Sequence, residues 1–209
     1  MASDPQDVPG KASSAPTDGA TYRPEIDGLR AIAVISTMLY HAEVPGFGGG
    51  FLGVDTFFAI SGFLITGIIV RSAGQGRFSL PGFYMRRIRR IIPALAVMCL
   101  IVLPFAWLLM MPDDLENFGQ SLVATGLSAN NVLLILTSGY FELETQFKPL
   151  FHTWSLGVEE QYYAVVPLLL MLAMRRGGKR GAFVALVLCT AASLLFCEFL
   201  RQRDIVTNF

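Results

Sequence analysis

Phe51-Leu-Gly-Val-Asp-Thr-Phe-Phe-Ala-Ile-Ser-Gly-Phe-Leu-Ile-Thr-Gly-Ile-Ile-Val70 carries a single charged side chain, Asp55, between a run of glycines and Arg71. A helix rising 1.5 Å per residue needs about 20 such residues to cross a hydrocarbon core of about 30 Å. The same signal recurs along the chain. Apolar runs over roughly 29–44 (short), 91–112 and 182–200 give three further spans, and 154–174 gives a fifth that holds Glu159 and Glu160 within it. With 53% hydrophobic residues, 15% charged and a mean hydropathy of +0.53, the composition is that of an integral membrane protein rather than a soluble domain. The fold class expected is therefore all-α, a polytopic transmembrane bundle of about five to six membrane segments.

Residues 1–21 are rich in Pro, Ser, Ala, Gly and Asp without an apolar run. They read as a disordered tail rather than a signal peptide, leaving 22–209 as the membrane domain. Asp27 stands where an N-cap belongs, and Gly46 to Gly50 make a flexible hairpin between the first two spans. Basic residues cluster at Arg86 to Arg90 and at Arg175 to Arg180, whereas Asp113, Asp114 and Glu116 form an acidic turn. The excess of positive charge on cytoplasmic loops then places the amino terminus in the cytoplasm and the chain in the inner or plasma membrane. A full crossing by 117–137 would put Arg175 to Arg180 outside. That segment is also polar, with Asn117, Gln120, Ser121, Thr125, Ser128, Asn130 and Asn131, so it is expected to be re-entrant or to lie at the outer interface or in a polar groove. Cys99, Cys189 and Cys197 lie in apolar stretches and read as small buried hydrophobes. Two histidines and no Cys pair argue against a bound metal, and no Gly-rich phosphate loop or nucleic-acid motif is present.

Ionisable residues inside a span are functional candidates by default. Arg30 and His41 lie eleven positions apart in the first span, close to three helical turns, so they share a face about 16 Å apart along the axis. An imidazole titrates near neutrality and can accept a hydroxyl proton as that oxygen attacks a thioester; the bland alternative is an interfacial histidine bonded to a backbone carbonyl. Arg30 either snorkels to headgroups or holds a donor or a carboxylate such as Asp27 or Asp55. Asp55, inside an apolar span, needs a partner; we favour it as the group orienting His41, and an Arg30–Asp55 pair is the alternative. His152 and Glu159, seven apart, either cap a helix or form an acceptor-side polar cluster.

Four blocks in order carry a resemblance: Tyr22-Arg-Pro-Glu-Ile-Asp-Gly-Leu-Arg30 with Tyr40-His41, Gly50 to Thr66, Phe83-Tyr-Met-Arg-Arg-Ile-Arg-Arg-Ile-Ile-Pro93, and His152-Thr-Trp-Ser-Leu-Gly-Val-Glu-Glu-Gln-Tyr-Tyr163. Over about residues 22–175 the chain resembles the membrane-bound acyltransferase-3 family, whose members include bacterial O-antigen and peptidoglycan O-acetyltransferases. The resemblance implies an enzyme that moves an acyl group, acetyl first among them, from cytoplasmic acyl-CoA to a hydroxyl of an extracytoplasmic glycan or glycolipid. It implies His41 as catalytic base, since the Arg30 to His41 spacing matches the family's first-span pair, and Arg87 and Arg90 as the grip on acyl-CoA phosphates. The same arginines also suit positive-inside anchoring and anionic lipid contact. A family domain has about ten spans, so this chain is expected to correspond to its amino-terminal half. The competing reading is a non-catalytic membrane scaffold, a glycolipid-binding module or half of a split complex, with a partner supplying the missing spans.

Overall fold

A computed structural model describes residues 23–137 and 148–202, and every regular element in them is a helix. In chain order these are α1 (Pro24–His41), α2 (Leu52–Gly74), α3 (Leu80–Leu109), α4 (Pro112–Gly126), α5 (Asn130–Thr137) and α6 (Thr153–Gln202). By length and apolar composition α2, α3 and α6 are each able to cross a membrane. α1 is not among them, since Glu25, Asp27 and Arg30 interrupt its apolar run. It starts at Pro24, whose ring pre-sets the first helical φ, so Asp27 lies inside the first turn and not at the cap.

α1 and α2 form an antiparallel hairpin held by close backbone approach. A Cβ on Gly53 would overlap the Ala33 carbonyl and Thr37 Oγ1, and one on Gly50 would overlap the Ser36 carbonyl. The Thr37 hydroxyl sits in the seam, donating to Ala33 O at 3.0 Å and lying 3.2 Å from Gly50 O. Gly53→Ala is therefore expected to force the helices apart at a cost of about 1–3 kcal/mol, read as a lowered unfolding midpoint in detergent. An unchanged midpoint would mean that the hairpin is not close-packed.

Contacts further along the chain set the remaining directions. Phe58 meets the Trp154 ring at 6.2 Å, Thr66 Oγ1 lies 3.0 Å from the Tyr162 hydroxyl, and Gly74 approaches Lys179 Cε, so α2 runs parallel to the start of α6. α3 runs antiparallel to it: the Tyr84 hydroxyl donates to Ala164 O at 3.0 Å, while Leu150 packs with Ala106 and Phe118 at the other end. The main core, Ile65, Ile69, Phe83, Tyr163, Val166, Leu170 and Ala182, lies between α2, α3 and α6. Arg71, Arg175 and Lys179 gather at one end of this bundle, and Asp113 and Asp114 lie at the other.

The backbone of α6 is non-helical at Gly177 and Gly178, the latter at φ +56°. There the chain folds back, so that a Cβ on Gly181 would meet the Ala173 carbonyl. The two apolar runs expected at 154–174 and 182–200 are the two limbs of this hairpin. Cys189 and Cys197, expected to be buried, are exposed, because the second limb packs along one side only; Cys99 is half-buried.

Residues 112–137 form two short helices broken at Ser128, which has φ +57°. The segment starts where α3 ends and packs on the first turns of α6; Thr125, Ser128, Asn130 and Asn131 face that contact, whereas Gln120 is exposed and donates to Glu116. Fully buried Asn130 donates to Leu150 O at 2.9 Å and Thr153 Oγ1 at 2.8 Å. The Thr125 hydroxyl lies 2.8 Å from that of Thr153, and Gln161 donates to Ser128 O at 2.9 Å. The polarity serves helix pairing, and neither helix is long enough to be a span.

Candidate active site

α3 begins at Leu80, where the Ser79 side chain accepts from the Gly82 amide, so the basic block is helical and not a loop before a span. Phe83, Arg87 and Arg90 recur at i, i+4 and i+7, which turns them to one face; Phe83 is buried and Arg87 half-buried, while Arg86, Arg89 and Arg90 are exposed. The Arg87 guanidinium lies 5.8 Å from the Phe83 ring centroid and 5.5 Å from that of Tyr163. The Tyr163 hydroxyl donates in turn to Glu159 one turn earlier.

Beside this stack is a cavity of about 80 Å³ lined by Arg30, Ser61, Arg87, Arg90 and Tyr163 with Leu64, Ile65 and Ile68 of α2. Arg30 reaches it from α1 with its guanidinium 4.9 Å from the Phe57 centroid. Three of the residues singled out in the sequence thus meet although α1 and α3 are distant in sequence. No carboxylate lines the cavity. A larger depression on α3, about 590 Å³ around Pro93, Val97 and Ile101, has an almost wholly apolar lining and no ionisable group. Its composition suits lipid or another helix better than chemistry, so the smaller polar cavity is the candidate site.

His41 lies apart, as the last residue of α1, exposed, with its ring 5.3 Å from that of Tyr40. Asp55 does not reach it. Gly50 packs against Ser36 and Tyr40, so α2 starts below the last turn of α1; Gly53 is then level with Ala33 and Thr37, and Asp55 is displaced further towards Arg30. Its side chain is exposed and has no hydrogen bond or ion pair among the described residues. The expected proximity of Asp55 to His41 is thus not what the hairpin register produces, and Arg30 faces Phe57 instead of a carboxylate. His152 is exposed just before α6, whereas Glu159, expected beside it, turns towards Tyr163 and the arginines. Ser61 and Tyr163 escaped the sequence reading. A lone serine at the middle of an apolar span and a tyrosine one turn after a glutamate were the available signals. Among the described residues no cluster of His, Cys, Asp or Glu is able to hold a metal ion.

The family profile described as "Acyltransferase domain" matches residues 23–205, which takes in both His41 and the arginine cavity. The chain belongs to this acyltransferase family. A Staphylococcus aureus (strain MSSA476) protein named "Putative O-acetyltransferase SAS0844" is 40% identical over 161 residues, 76% of this chain and 26% of the relative. The O-acetyltransferase OatA of S. aureus (strain NCTC 8325) is 35% identical over 174 residues, 83% of this chain and 29% of its own length. This acyltransferase-family chain therefore spans less than a third of the curated relatives it matches. No solved structure matches it.

Proposed function

We propose that the chain acts as a membrane O-acyltransferase that passes an acetyl group from cytoplasmic acyl-CoA to a hydroxyl of an extracytoplasmic glycan or glycolipid. The observation that carries this reading is the arginine cavity lined by residues of α1, α2, α3 and α6, set apart from an exposed histidine at the far end of the same α1. Acyl-CoA offers phosphates at one end of a long flexible arm and a thioester at the other. Guanidinium forks suit the phosphates, and a helix rising 1.5 Å per residue separates Arg30 from His41 by about 16 Å, a distance a pantetheine arm bridges.

In the proposed reaction His41 takes the acceptor hydroxyl proton as the oxygen attacks the thioester carbonyl; the C–S bond breaks and CoA leaves as the thiol. The basic end, with Arg71, Arg175 and Lys179, faces the cytoplasm under the positive-inside rule, which puts His41, His152 and the acidic turn on the outer side. The acetyl group is preferred because the matched relatives are named as O-acetyltransferases. Their greater length supports a second reading, in which this chain binds donor and further spans complete the site.

The test is thiol release from acetyl-CoA by the 209-residue chain in lipid nanodiscs, with and without a cell-envelope acceptor. Acceptor-dependent release supports a self-sufficient transferase. Donor binding without release supports the donor-binding part, and neither binding nor release overturns both.

A further inference from the structure

Two buried donors in the arginine cavity complete no hydrogen bond among the described residues. Ser61 is 5% exposed, and its Oγ, although close to the Tyr163 hydroxyl, completes no hydrogen bond among the described residues; neither does the buried Nε of Arg87. Both residues line the same cavity. Leaving such groups unpaired costs about 1–3 kcal/mol each, more when charged, so the pairing is expected to come from an occupant. An arginine Nε–H only donates, which makes the missing group an acceptor. Three guanidinium groups and no carboxylate in the lining make that acceptor anionic. A cavity of about 80 Å³ admits one compact group and not a whole nucleotide.

We infer that Ser61 Oγ and Arg87 Nε together bind one phosphoryl oxygen of the donor, and that Tyr163 is a positioning residue holding the Arg87 guanidinium in place. The inference rests on the acyl-CoA reading above and adds the atoms that recognise it. Tyr163 presents its ring face to the guanidinium while its hydroxyl is tied to Glu159, so the ring is fixed at both edges of the stack. Among the described residues Arg87 makes no ion pair, so the stack holds it while leaving its charge for the ligand. Glu159 accordingly serves the donor side rather than the acceptor.

The test uses the full chain in phosphatidylcholine nanodiscs, where the bilayer contributes no net anionic phosphate, and measures the affinity of CoA beside that of pantetheine, which has the amides but no phosphate. Ser61→Ala is expected to weaken CoA binding about five- to tenfold and leave pantetheine unchanged. Tyr163→Phe keeps the ring and should weaken CoA less than Tyr163→Leu, which removes it. Equal loss of CoA and pantetheine on Ser61→Ala would make the acceptor an amide carbonyl and overturn the assignment. Unchanged CoA affinity in Ser61→Ala, with Arg87→Ala still damaging, would overturn the role of Ser61 while sparing the acyl-CoA reading. No CoA binding by the unaltered chain would overturn both. Thermal unfolding of each variant, within a few degrees of the parent, shows that the change is not one of folding.

Discussion

His41→Ala is expected to abolish acetyl transfer, by at least about 10²-fold, with no change in membrane insertion, abundance or CoA affinity. The separation of these effects follows from where the residue sits. His41 is exposed at the last turn of α1, and Tyr40 is the ring it touches, so truncation opens no cavity and orphans no buried group. The donor cavity is about three turns away, behind the Gly53 seam, and Arg30 keeps its place over Phe57. A structural residue in that position would give the opposite pattern, in which abundance falls with activity. His41→Gln retains size and hydrogen bonding but not basicity, so it should be as inactive as alanine. The experiment follows thiol release from acetyl-CoA in nanodiscs alongside CoA binding. An active His41→Ala protein would remove the base assignment and leave the arginine cavity untouched.

How far the sequence foretold this arrangement depends on which physical signal each part carries. The apolar runs were visible because a spanning helix must be apolar for most of its length, and they locate α2, α3 and both limbs of α6. The patch Arg86 to Arg90 was visible because arginines next to a span stand out, and the family resemblance singled out Arg87 and Arg90 within it. Helix register was hidden, since it depends on the tight approach of Gly50 and Gly53 to α1, and that register moved Asp55 away from His41. The polarity of 117–137 was legible as a reason against lipid exposure, but its purpose needed the partner. Asn130, Asn131 and Thr125 bond to residues of α6 and the turn before it, which lie 20 or more positions later. Glu159 was read with His152 because they share a helix face in sequence. Tyr163, one turn beyond Glu159, draws it to the arginines instead. Ser61 gave almost no signal, because a serine in an apolar helix is normally satisfied by a carbonyl one turn back, and here it is not.

Arg87→Lys is the sharpest test of the donor site, because it preserves charge and removes shape. A lysine ammonium is a compact point charge without a planar face, so it neither packs as a plane against Phe83 and Tyr163 nor presents an Nε–H to the cavity. Loss of a hydrogen bond to a charged group is worth about 1.5–3 kcal/mol, or about 10- to 150-fold in affinity. Arg87→Lys should therefore weaken CoA binding by at least about tenfold, nearly as much as Arg87→Ala. Arg90 also lines the cavity but is exposed, and its replacement by lysine should cost less. Arg86 and Arg89 are exposed, outside the cavity, and subject to screening; alanine at either should change CoA affinity less than about twofold at physiological salt. This ordering separates a built site from a diffuse basic patch. A patch that only attracts anions would respond to the number of charges lost, so Arg87→Lys would be silent and Arg86→Ala would match Arg87→Ala. Measuring all five variants by CoA titration at two salt concentrations decides between them, since a patch loses its affinity steeply with salt and a desolvated stack does not.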